Sequence, residues 1–300
     1  MRAASECLGD ATCPMERYTS LVLAAEDARE HGVPCFHLMR GTGVPRDLER
    51  ARSCFERHVQ AEGGCGGSSP SLTRLELGLL SSNKDLFADC FADGSVEAVG
   101  RAPTEKADPH ICDDGFAMTT LHMVACVQLD LDELEVRASA VDKAVLARFG
   151  DARHASFREA SADLAAYARD MADLVGELYA GGSMQPIQIS SAELAVLSAR
   201  LERWQSLLGG RESKAEPAAA RARLLAKRDE VMQMAPPATI GGSWTDTAWR
   251  ARLRMNEKAY APYRAKELAL VRAVGGESSK RLEALIDVER TNDLAMLEEH

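Results

Sequence analysis

Three hundred residues are enough for two or three compact units, and 46% hydrophobic with 27% charged side chains is the balance of a globular chain. Aromatics make up only 5%, too few for a large sheet, so helices are expected to dominate. The net charge of −10 is uneven, at −4 over residues 1–107, −8 over 108–210 and +2 over 211–300. Without a basic stripe nucleic acid is excluded as a partner, and no apolar run approaches the ~18 residues of a membrane span. The acidic middle third either attracts a cationic partner or is a solvated helical face.

In chain order, residues 15–31 read as a helix ended by Gly32. Pro34–Arg40 leads into the turn Gly41–Asp47, and Leu48–Gln60 follows as a helix. Asp47 is the expected N-cap, with Leu48, Ala51, Phe55 and Val59 on one face. The string GTGVPRD, with Ala51 and Phe55 after it, resembles a Sel-type helical repeat over about residues 24–60. Cys35 stands where that pattern usually has glycine. Residues 72–91 suggest a degenerate second repeat beyond the Gly-rich connection 63–71, and Arg101–His110 is a further connecting stretch.

From Met118 to Phe149 the pattern is continuously helical, with Leu131, Leu134, Val141, Val145 and Phe149 as its apolar positions. Ala152–Ala180 is the next helix, carrying Phe157, Leu164, Tyr167, Met171, Leu174 and Leu178 on one stripe. A third helix follows the turn Gly181–Pro186, with a seam of Leu194, Leu197, Leu201, Trp204 and Leu208. The last ninety residues repeat the layout: helix Glu216–Met234, loop Ala235–Ser243, helix Trp244–Ala273, a Gly-Gly break and helix Ser278–Glu299. Ala166–Val175 lines up with Pro262–Val271, which places Tyr167 opposite Tyr263 and suggests a diverged internal duplication.

Residues 112–210 resemble the lysozyme-inhibitor LprI-like family, and residues 216–299 resemble it more weakly. The features that carry this are Cys112, thirteen residues, Cys126, then Leu131-Asp132-Glu133-Leu134; Ala166-Tyr167; the turn Gly181-Gly182-Ser183-Met184-Gln185-Pro186; and Arg200 late in the third helix. Ala168 replaces the family arginine, and Ala172 and Ala192 replace its second cysteine pair. The resemblance implies a bacterial envelope protein that binds, and inhibits, a cationic hydrolase of the lysozyme type. An acidic domain would be steered toward such an enzyme, whose cleft holds catalytic carboxylates. The expected contact residues are Gly181, Gly182, Ser183, Met184, Gln185 and Pro186, with Pro236–Ser243 as the corresponding loop. A simple helix connection needing glycine for positive φ is the competing reading of both turns. So is a Sel-type scaffold without inhibitory activity for the chain.

All eight cysteines fall within the first 126 residues, an even set that suggests disulfides and an oxidising compartment. The chain start lacks a signal-type apolar core, so the expectation is a periplasmic or secreted protein whose signal peptide has been removed. A cytosolic chain with eight reduced thiols is the rival. Among the 105 possible pairings, the expected one is Cys7–Cys13, Cys35–Cys54, Cys65–Cys90 and Cys112–Cys126. Histidines flank several of these cysteines (His37, His58, His110, His122), but without a C-x-x-C motif disulfides are the better account than zinc. Asp130 and Asp132 read as solvated. With no nucleophile elbow, zinc-protease motif or phosphate loop, no catalytic residue, cofactor or metal is assigned.

The expectation is therefore an all-α chain. Short disulfide-stapled helical-hairpin repeats fill residues 1–107, and two related three-helix antiparallel units fill 108–210 and 211–300.

Overall fold

A computed structural model describes residues 33–41, 45–62, 76–77, 112, 120–210, 215–239, 242–275 and 279–298. Helices dominate them: α1 Val33–Arg40, α2 Leu48–Glu62, α3 Thr120–Phe149, α4 Asp151–Leu178, α5 Gln185–Leu208, α6 Pro217–Gln233, α7 Asp246–Gly275 and α8 Ser279–Ala295. A two-residue hairpin, β1 Ala238–Thr239 with β2 Gly242–Ser243, occupies the expected loop before α7. The fold is all-α and disulfide-stapled. The helix expected over 15–31 lies outside the described residues, as does most of the second repeat over 72–91.

Packing defines two compact units, Met1–Arg137 and Ala138–His300, whose border falls inside α3. The sequence suggested divisions at 107 and 210. Residues on both sides of 210 instead share one core, because the long apolar stripe of α4 packs against α7 as well as against α5.

In the first unit, α1 and α2 form a hairpin whose shared face buries Phe36, Leu38, Ala51, Phe55 and Val59, with the Phe36 and Phe55 rings meeting edge to face at 4.9 Å. Leu48, expected on that face, is exposed. Asp47 caps α2 as expected, its Oδ1 accepting from the Arg50 amide at 3.0 Å. Cys35 is bonded to Cys54, 5.4 Å apart at Cα, and clasps the two helices; Cys112 is bonded to Cys126 near the start of α3. Both match the expected pairing, whereas Cys7, Cys13, Cys65 and Cys90 lie outside the described residues. Asp130 keeps 43% of its side chain exposed but also takes part in an ion pair. Together with Glu133 it receives the Arg40 guanidinium, at 3.1 and 2.7 Å, and so ties α1 to α3.

In the second unit, α4, α5, α7 and α8 form an antiparallel four-helix arrangement. Gly150, at φ 75°, ends α3 and starts α4. The α4 stripe is buried as its spacing requires, from Phe157 to Leu178. Partner numbers descend along α7 as they ascend along α4: Asp163 with Lys266, Tyr167 with Tyr263 and Tyr260, Asp170 with Asn256, Glu177 with Arg252. Pro262 removes one amide from α7, yet the helix runs through it. Helix α8 runs antiparallel to α7, through Arg272–Glu283, Arg264–Asp287 and Glu257–Arg290. Helix α6 lies parallel to α8, as Arg221–Asp287 and Lys227–Glu298 show.

The seam expected on α5 is rotated. Leu194, Leu197 and Leu208 are only half-buried, while Arg200 and Arg203 join Val196, Leu201 and Trp204 inside. The cause is Glu267 on α7, a carboxylate with no solvent exposure that needs those cations. Ala172 and Ala192 are buried in one apolar cluster, as is Ala168.

Candidate binding site at one end of the helical unit

Helix α4 stops at Leu178, and the chain reverses into α5 through residues 179–184. Backbone hydrogen bonds brace the reversal: Tyr179 N–H reaches Gly176 O at 3.2 Å, Gly182 N–H reaches Tyr179 O at 2.9 Å and Gln185 N–H reaches Gly182 O at 3.2 Å. Gly181 sits at φ 81°, a conformation a side chain would oppose, and its amide donates to Gln185 Oε1 at 3.3 Å. Gln185 thus faces back into the turn. Pro186 falls in the first turn of α5, where its missing N–H costs nothing. Gly181, Ser183, Met184 and Pro186 are exposed, and Met184 is a large apolar side chain in that position.

The base of the turn is tightly packed. Gly176 lies so close to α5 that an added Cβ would meet Ile189 Cγ1 at 2.5 Å. One helical turn away, Arg252 at the start of α7 donates to Glu177 Oε1 at 2.9 Å, to both Asp170 oxygens at 3.1 and 3.2 Å and to the Asp170 carbonyl at 2.8 Å. Burial pushes the Glu177 carboxyl above its ordinary value despite the attraction of Arg252.

The same contacts bring the second sequence-flagged loop to this end. Because α4 and α7 are antiparallel, the end of α4 meets the start of α7, and the hairpin preceding α7 touches α4 through β1. Trp244, just after that hairpin, packs edge to face on buried Trp249 at 5.8 Å. Two loops far apart in sequence therefore flank one end of a rigid helical scaffold.

Behind them lie two buried polar clusters that sequence reasoning missed. In the first, Glu267 accepts from Arg200 Nε at 3.0 Å, Arg203 Nη1 at 3.0 Å and Trp204 Nε1 at 2.6 Å. Burial opposes its charged form, but Arg200 and Arg203 hold Glu267 below the usual carboxylate range. Arg203 also reaches Glu289 at 2.7 Å and the Tyr263 hydroxyl at 3.0 Å, while Arg200 stacks over Phe157 at 4.3 Å.

In the second, Arg290 donates to the Tyr167 hydroxyl at 2.6 Å, Asn256 Oδ1 at 2.8 Å and Glu257 Oε1 at 2.6 Å, and stacks over Tyr260 at 4.8 Å. Tyr167 in turn donates to Asp293 at 2.6 Å. Burial pushes the Asp293 carboxyl up to about 6, against the pull of Arg290 and the Tyr167 hydrogen bond. The sequence clues to the clusters were the alignment of Tyr167 with Tyr263 and Arg200 late in the third helix, neither of which pointed to a buried ion pair. Their rings stack at 6.0 Å and 8°, and each hydroxyl takes an arginine from the other half of the unit.

Among the described residues no cluster of His, Cys, Asp or Glu could hold a metal ion, and no helix is long and apolar enough to cross a membrane. No protein-family model matches the chain, and neither does any curated protein or solved structure.

Proposed function

We propose that the chain is a bacterial envelope binding protein whose 138–300 unit presents the Gly181–Pro186 turn, beside the 236–243 loop, to a cationic hydrolase of the lysozyme type. One observation carries this reading. A turn braced by the amides of Tyr179, Ala180, Gly181, Gly182 and Gln185, with Ser183, Met184 and Pro186 outward, stands beside a second loop on a scaffold locked by buried ion pairs. A preorganised tip loses little entropy on entering a cleft, so its contacts convert to affinity efficiently. An exposed methionine adapts to an irregular surface. Of the net −8 over residues 108–210, −6 falls in 108–137, so the steering toward a basic enzyme comes from that acidic stretch, the 138–300 unit itself being neutral overall. The role is binding, without catalysis or a cofactor, in the periplasm or outside the cell.

The test is lysis of a cell-wall suspension by lysozyme with the intact chain added at low ionic strength. Slowed lysis is expected, relieved by salt, and Met184→Glu weakens inhibition by about tenfold or more, the effect of losing one central contact. An intact chain that binds no lysozyme at low salt overturns the reading. The disulfide-clasped α1–α2 hairpin favours a second one, a Sel-type adaptor that docks a protein chain without inhibiting anything. Binding from envelope extract that survives Met184→Glu but is lost in Cys35→Ser/Cys54→Ser would favour the adaptor.

A further inference from the structure

The parallel packing of α6 on α8 brings two helix N-termini to one place. Between them lies a cleft of about 250 Å³, walled by Pro217 and Arg221 from α6, Lys280, Glu283 and Asp287 from α8, and Arg264 from α7. Arg264 is about 27 Å of helix away from Asp246, so this cleft is separate from the turn-bearing end.

We propose that the cleft binds a phosphate group. Three cations line it, Arg221, Arg264 and Lys280, and the two carboxylates do not balance them. Glu283 is committed to Arg272, which it meets through both oxygens at 2.7 and 3.0 Å. Asp287 is the carboxylate in direct contact with the guanidiniums, at 3.1 Å from Arg264 and 3.5 Å from Arg221, while Glu283 attracts Arg264 and Lys280 only at longer range. Lys280 is exposed and has no ion pair among the described residues, and the buried Nε–H of Arg264 has no acceptor.

Each helix N-terminus adds the equivalent of roughly half a positive charge, and here the two dipoles point the same way. A doubly charged tetrahedral anion matches this set better than a carboxylate. It offers enough oxygens to meet two guanidiniums and an ammonium at once, and guanidinium forks pair with such oxygens in parallel. Free phosphate, a phosphate ester of a wall polymer and a lipid headgroup share that chemistry.

The experiment is calorimetric titration of the full chain, at low ionic strength, with inorganic phosphate, glycerol 3-phosphate, acetate and phosphatidylglycerol vesicles. Saturable binding of the first two is expected, with acetate about tenfold weaker or more, since it forfeits a charge-assisted contact. Tighter binding of glycerol 3-phosphate assigns the site to an ester, and equal binding assigns it to the phosphate group itself. Lys280→Gln and Arg221→Gln each weaken binding by about tenfold. Asp287→Asn, which removes the competing carboxylate and keeps its shape, tightens it. Absence of saturable binding to the wild-type chain overturns the proposal. So does vesicle binding without either small probe, or full affinity in a Lys280→Gln/Arg221→Gln variant that melts like the wild type.

Discussion

Replacing Glu267 with alanine removes the carboxylate on which the α5–α7 contact is built. Glu267 has no solvent exposure, and Arg200 and Arg203 beside it are nearly as enclosed. Arg203 would keep Glu289 and the Tyr263 hydroxyl. Arg200 would keep only neutral acceptors, the Ser161 hydroxyl at 2.8 Å and the Phe157 carbonyl at 3.4 Å. Trp204 would lose its 2.6 Å acceptor in the core. Breaking a buried pair by deleting one partner costs about 3–5 kcal/mol, because the other charge stays buried. For a cooperative unit of this size that is a fall in Tm of roughly 6–20 °C.

Calorimetry or circular dichroism reads it directly. A double variant separates ion pairing from lost volume. Arg200→Met/Glu267→Met removes both charges and should be more stable than the sum of the singles by on the order of 2 kcal/mol. The pH dependence has a definite sign. Glu267 is held below its ordinary pKa, so its contribution is present above the usual carboxylate range and is lost as pH falls through the depressed value. A Glu267→Ala Tm within about 2 °C of wild type, or strict additivity in the double variant, would refute the reasoning.

Asp293 should act with the opposite sign. Its pKa is raised to about 6 from 3.8, so its contribution is full below the lower value and is lost as pH rises through the higher one. Asp293→Asn should therefore gain on the wild type by up to about 3 kcal/mol between pH 4 and 7, measured by urea unfolding; a difference that stays flat with pH rejects this. Gly176→Ala should cost about 1–3 kcal/mol by forcing α5 away from α4, and Ile189→Ala, which removes both clashing carbons, should restore part of the loss. If Gly176→Ala is neutral, the helices do not approach as described. Mass spectrometry of a non-reduced digest should recover peptides joining Cys35 to Cys54 and Cys112 to Cys126, and carbamidomethylation of any of the four without reductant contradicts the staples. Removing the 35–54 bridge should cost about 3 kcal/mol of unit stability.

What the sequence disclosed was whatever local periodicity encodes. The α4 stripe from Phe157 to Leu178, the Asp47 cap and the Gly181 turn all follow from spacing and φ preference, and each is found in place. The interior arginines were hidden for a physical reason. A charged residue at a helical position reads as solvent-facing unless its counter-ion is known, and Glu267 lies 64 residues from Arg203. The Arg40 partner of Asp130 was equally hidden, 90 residues earlier in the chain, although Asp130 keeps 43% of its side chain exposed. For the candidate site, the Gly181–Pro186 turn was legible as a turn. Its neighbour at 236–243 was legible only as a loop, because what joins them is the antiparallel register of α4 on α7.

That register also gives the internal likeness a structural meaning. If the two halves were independent, the two aligned tyrosines would each pack within their own half. Instead the Tyr167 hydroxyl takes its proton donor from Arg290, and the Tyr263 hydroxyl takes its own from Arg203, so each half completes the other. The stacked rings lie where α4 crosses α7, between the two arginine clusters. Exchange of this kind makes the rigidity of the turn a property of the whole 138–300 unit: Arg252, which holds Glu177 beneath the turn, sits on α7, and α7 is fixed by Glu267 and Asn256 to helices from both halves. The presenting surface and the interior ion pairs are thus one mechanical object.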